Sequence, residues 1–83
     1  MATTREDIRA WLERGKTEGA THMIVACDTF DHEDYPVFVK PGQDVRKVYA
    51  EYNGPQMQRV MECYSYAMPL EEQISAGRVF NFD

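Results

Sequence analysis

THMIVACDTFDHEDYPVFVK, Thr21 to Lys40, decides the fold. Its first eight residues, Thr21 to Asp28, form a nearly continuous apolar run with a glycine just upstream and acids just downstream. That is the pattern of a strand covered on both faces, and it predicts the central strand of a sheet. Tyr35 to Lys40 is rich in β-branched and aromatic residues, and Pro36, which has no backbone donor, assigns it to an edge or entry position. Thr29 to Asp34 between them predicts a hairpin connection.

Upstream, TTREDIRAWLERGKTEGA predicts a helix. Thr3 stands three residues before Glu6, the capping-box spacing. Ile8, Trp11 and Leu12 share one face with Gly15, whose missing side chain admits a neighbouring element, and Gly19 is placed to end the helix in the left-handed conformation. Downstream, PGQD supplies a turn with Asp44 as cap. Val45, Val48, Tyr49 and Tyr52 predict a helix over 45–52, which Gly54 and Pro55 stop. Met57, Val60, Met61 and Tyr64 continue a helical period and predict a second helix from Pro55 towards Tyr66. PLEEQISAG then gives one or two helical turns ending at Gly77, and RVFNF a short final strand. The fold class is α+β: an N-terminal helix, a β-hairpin, two to three further helices and a short C-terminal strand on a small antiparallel sheet, with the helices on one face.

Eighty-three residues with 43% hydrophobic and 12% aromatic content make one globular domain rather than a disordered segment. A core this small has a thin margin, so a homo-oligomer is expected. The net charge of −5 excludes an extended nucleic-acid surface but leaves room for a local basic pocket. No signal-peptide pattern and no apolar run of membrane-spanning length appears, which leads to the expectation of a cytoplasmic protein without membrane contact. Cys27 and Cys63 lack CxxC spacing and are expected to be reduced, packed thiols.

Three constellations could carry chemistry. Asp28, Asp31, Glu33 and Asp34 with His32 offer oxygen ligands to a divalent metal, although the spacing departs from the known calcium loop and a lone local histidine suits zinc poorly. The bland alternative is a solvated hairpin whose acids cap backbone amides. A Cys27–His32 nucleophile is disfavoured by the negative field, which opposes a thiolate. Arg46, Lys47, Tyr49 and Arg59, with Tyr52, Tyr64, Tyr66 and Arg78 in the same half, combine π surfaces with cations and could hold a nucleotide-like anion. Their plain reading is core tyrosines and a solvated charged face; phosphate-cradling glycine motifs are absent. The methionines, Tyr64, Tyr66 and RVFNFD suggest either an interface or closure of the core by Phe80 and Phe82.

REDIRAWLERGKTEGATHMIVACDTFDHEDYPVFV resembles the opening of a set of small bacterial and phage proteins that share a GATHMIV segment followed by CDTFD and EDYPV. The resemblance covers the first half of the chain well and the second half loosely. It implies an accessory protein of phage or mobile-element type that counters a host defence by binding, and it carries over no site residue and no activity. Three functions follow in order of expectation. The first is an oligomeric, non-catalytic protein that sequesters a nucleotide-like signalling ligand with Arg46, Lys47, Tyr49 and Arg59. The second is an acidic inhibitor of a host protein acting through Asp31, Glu33 and Asp34, and the third a metal-dependent enzyme using the 28–34 loop. None of the sequence motifs calls for a cofactor.

Overall fold

The structure is a computed structural model that describes residues 3–83, Pro55 by its backbone only. Helix α1 (Arg5–Thr17) leads into strands β1 (His22–Asp28) and β2 (Glu33–Val39). Helix α2 (Val45–Tyr52), a tight turn at Pro55–Met57, strand β3 (Gln58–Ser65) and helix α3 (Leu70–Ser75) complete the order. The chain is α+β, with a three-stranded antiparallel sheet ordered β2-β1-β3.

The capping box on α1 is one residue later than the sequence reading placed it. The Thr4 hydroxyl accepts from Asp7 N–H at 3.1 Å, and the Asp7 carboxylate accepts from Thr4 N–H at 3.0 Å. Aspartate serves as well as glutamate because only the reach back to the cap amide matters. Gly19, at φ 78°, follows the helix end in the left-handed region. Asp44 caps α2 by accepting from Arg46 N–H at 3.0 Å.

β1 is the central strand and alternates between two cores. Met23 and Val25 point to one face, where Ile8 and Leu12 of α1, Tyr64 of β3 and Ile74 of α3 pack around them. Ile24 points to the other, against Val39, Val60 and Cys63 of the sheet and Val45 and Val48 of α2. The helices therefore sit on both faces, not one, and this is why β1 has no polar side chain between Met23 and Ala26. Gly15 does admit a neighbour: a Cβ there would lie 2.3 Å from the Tyr66 hydroxyl and 2.6 Å from the Phe38 ring.

The predicted helix from Pro55 towards Tyr66 is instead the strand β3, and the reason is a β-bulge. Val25 pairs with Glu62 while Ala26 pairs with Val60, so Met61 is an extra residue. The bulge puts Val60 and Cys63 on the same face although they are three apart, which imitates helical spacing. The alternation is further masked by Glu62, a buried carboxylate held by Arg5 from the far end of the chain. Past β3, the Gln73 side chain continues the sheet's hydrogen bonding, its amide pairing with both Ser65 N–H and Ser65 C=O at 2.9 Å. RVFNF forms only a single parallel bridge, Cys63 to Phe80, on the free side of β3. Its Phe82 packs into the α2-side core, while Phe80 stays 44% exposed.

Candidate functional site

The acids of the hairpin are turn-builders first. Asp28 accepts from Phe30 N–H at 2.8 Å through its carboxylate and from His32 N–H at 2.7 Å through its carbonyl. The Asp31 carboxylate accepts from Glu33 N–H at 3.1 Å. Such side-chain-to-backbone bonds two residues ahead are what aspartate brings to a tight turn. His32 takes φ 62° to close it. Among the described residues no three His, Cys, Asp or Glu side chains are grouped to hold a metal ion. Cys27 is half-buried and its thiol pKa is raised, first by burial and then by the neighbouring Asp34 carboxylate, which makes it a poor nucleophile.

The loop before β3 is tied to the same end of the sheet. Thr29 donates to the Met57 carbonyl through both its amide and its hydroxyl, each at 2.8 Å. Gln56 and Met57 both adopt positive φ, 54° and 61°. With His32 they put three non-glycine residues in the left-handed region around one sheet end, each costing on the order of 1 kcal/mol or more. The Gly54 amide donates to the Gln58 carbonyl at 2.7 Å, and Asn53 Oδ1 accepts from Val60 N–H at 3.2 Å, so the loop is held at its base. On this turn Phe30 is 78% exposed and on the loop tied to it Met57 is 55% exposed; Asp31 and Glu33 of the same turn are exposed and Asp34 is half-buried.

The basic and aromatic residues singled out above are dispersed. Arg46 lies over the Phe82 ring at 4.8 Å, and Tyr49 meets the same ring edge-on at 5.2 Å. Both are thus engaged with the C-terminal segment. Lys47 borders a separate cleft with Gln43, Asp44 and Glu51. Arg59 sits on β3 opposite Cys27, and alternation from Val60 turns it away from α2. The structure brings Arg46 and Tyr49 together and leaves Lys47 and Arg59 apart from them.

No protein-family model, curated protein or solved structure matches the chain.

Sequence reading missed the Arg5–Glu62–Tyr64 cluster. Arg5 donates to Glu62 at 3.2 and 3.4 Å, to the Tyr64 hydroxyl at 2.8 Å and to the Gly77 carbonyl at 3.2 Å, and the Tyr64 hydroxyl donates to Glu62 at 2.5 Å. Burial and the Glu62 carboxylate push the Tyr64 pKa well up, so the phenol remains a donor. Both Glu62 carboxylate oxygens and the Tyr64 hydroxyl are paired, and the effect is to lock α1 onto β3 and the end of α3. Among the described residues no helix is long and apolar enough to cross a membrane.

Proposed function

We propose that this is a non-catalytic interaction protein that docks the β1–β2 end of its sheet onto a basic surface of another protein. The observation that carries the reading is Phe30, 78% exposed on a turn whose backbone is fixed by hydrogen bonds and tied through Thr29 to the Met57 loop, with Asp31, Glu33 and Asp34 following it in the chain. An exposed aromatic on a pre-organised loop forfeits little entropy on binding and is the kind of side chain that anchors an interface. Surrounding carboxylates steer the encounter towards a positively charged partner and reject acidic ones. Asp31, Glu33 and Asp34 act as this acidic rim. An accessory protein of phage type that blocks a host effector is the biological setting the sequence resemblance suggests. Nucleotide capture by Arg46, Lys47, Tyr49 and Arg59 has less support, because Arg46 and Tyr49 are engaged with the Phe82 ring while Lys47 borders a separate cleft and Arg59 lies on β3 opposite Cys27.

The test places a photo-crosslinking amino acid, p-benzoylphenylalanine, at position 30 and, as a remote control, at the exposed Ala10 of α1. Cells carrying the natural partner are expected to yield a discrete adduct from position 30 that is lost when Asp31, Glu33 and Asp34 are neutralised. Equal labelling from both positions, or an adduct indifferent to the acids, refutes the reading.

A further inference from the structure

The two borders of the sheet differ in what they offer a further strand. On β2 the Val39 carbonyl faces β1, accepting from Thr21 N–H at 2.7 Å, so by alternation Asp34, Pro36 and Phe38 turn their backbone groups outwards. Pro36 stands in the middle of that row without an N–H, which blunts the border. On the other border the C-terminal segment lies along β3. There Cys63 N–H donates to the Val79 carbonyl at 2.8 Å, and Asn81 N–H donates to the Cys63 carbonyl at 2.9 Å. Because Val79 and Asn81 face β3, the N–H and C=O groups of Arg78, Phe80 and Phe82 face away from it. Among the described residues none of these groups has a hydrogen-bond partner. Phe80, at the centre of the row, shares the α2 face with its bridge partner Cys63 and is 44% exposed. On the α3 face the row adjoins a recess of about 250 Å³ walled in part by Met68, Pro69, Ala76 and Val79. Arg78 and Asp83, at the two ends of the row, are exposed, and neither forms an ion pair among the described residues.

We infer that the Arg78–Asp83 segment is the interface of a two-fold homodimer, in which two copies pair antiparallel about Phe80 and join their sheets into one. With Phe80 opposite Phe80 of the second copy, the two exchange both N–H···O bonds, and Arg78 falls opposite Phe82 of the second copy on either side. Every outward N–H and C=O of the row then finds a partner. Charge selects the antiparallel sense. It brings Arg78 to the same end as Asp83 of the second copy, so opposite charges meet at both ends, whereas a parallel pairing sets like against like. Apolar surface on both faces of the row is covered by the same contact. The equivalent arrangement on β2 would set Pro36 against Pro36 and lose the central pair of bonds, so self-association is directed to this border. The dimer presents two Phe30 turns, and its existence is independent of the docking reading.

The test combines sedimentation velocity with residue-resolved amide hydrogen exchange on the full chain, each over a range of concentrations. The expected result is a dimer whose formation slows exchange at the Arg78, Phe80 and Phe82 amides and leaves the outward Phe38 amide unchanged. Phe80→Pro removes one outward N–H but keeps both bonds to Cys63, which use Val79 and Asn81, and it should abolish the dimer. Arg78→Glu, at an exposed position, tests the same interface without touching the backbone. It should raise the dimer Kd about fivefold, and the charge swap Arg78→Glu with Asp83→Arg should restore it. A chain that stays monomeric at every concentration, or a dimer whose protection appears on other amides, overturns the inference. So does a dimer indifferent to both Phe80→Pro and Arg78→Glu.

Discussion

Gly15→Ala pits two effects of comparable size against each other, and the structure decides the sign. In an exposed helix the change stabilises by about 1 kcal/mol, because alanine has the higher helix propensity. Here the new methyl would lie 2.3 Å from the Tyr66 hydroxyl and 2.6 and 2.7 Å from two carbons of the Phe38 ring. Tyr66 is held in place by donating to the Leu12 carbonyl at 2.8 Å, and Phe38 has the Arg14 guanidinium over it at 5.2 Å. To make room, the hydroxyl must leave Leu12, at about 1 kcal/mol for the lost bond, and the ring must shift in a packed layer, at about 1–3 kcal/mol. The net expectation is destabilisation by about 1–3 kcal/mol, which for a domain of this size lowers Tm by roughly 4–8 °C per kcal/mol. Thermal unfolding followed by circular dichroism reads it directly. In a Tyr66→Phe background, where the closest contact is gone, the cost of Gly15→Ala should shrink. A rise in Tm on Gly15→Ala would show that propensity wins and that α1 does not approach β2 and Tyr66 as described.

The remaining predictions concern charge and protonation. Arg5→Ala removes the partner of the buried Glu62, and with the arginine side chain 46% exposed the expected loss is about 1–2 kcal/mol in urea unfolding. Adding Glu62→Gln should recover part of it, since a neutral amide is cheaper to leave without its cation. Burial, then Glu13 and Glu18, push the Tyr66 pKa up to about 12, and Tyr64 is raised as well. The fold holds the neutral phenols, and in the unfolded chain they ionise near pH 10. Their contribution is therefore complete below about pH 10 and declines as pH rises through about 12. Tyrosinate absorbance should show these two ionising together with the loss of circular dichroism, and their ionisation in a still-folded protein would contradict the burial. Burial likewise pushes Cys63 to about 12, so a thiol reagent should modify the half-buried Cys27 first and Cys63 only on unfolding; early labelling of Cys63 would be the contrary result.

Elements whose signals are local were legible in the sequence. The cap and 3.6-residue period at Asp44 to Tyr52 gave α2 with both bounds, and the unbroken apolar run marked β1 as central. β3 was hidden because a bulge at Met61 converted a two-residue alternation into apparent helical spacing, and because Glu62 is a charge that only a distant Arg5 makes tolerable inside. The placement of helices on both faces followed from β3, since a third strand widens the sheet enough to take α1 and α3 on one side and α2 on the other. For the site, the 28–34 stretch could be recognised as an acidic turn. Its neighbour Met57 lies 28 residues from Thr29 in the chain and meets it only once β3 has paired with β1, so no local pattern could join them.

The claim that the sheet end is the working surface is tested most directly by the affinity for the crosslinked partner, measured by calorimetry with the wild-type chain and with Phe30→Ala. Because Phe30 is exposed, its truncation should leave Tm unchanged to within about 0.5 kcal/mol of stability. As an interface anchor it should cost about 2 kcal/mol of binding, a roughly 30-fold rise in Kd. An unchanged Tm with that loss is the predicted result. An unchanged Kd would place the interface elsewhere on the molecule.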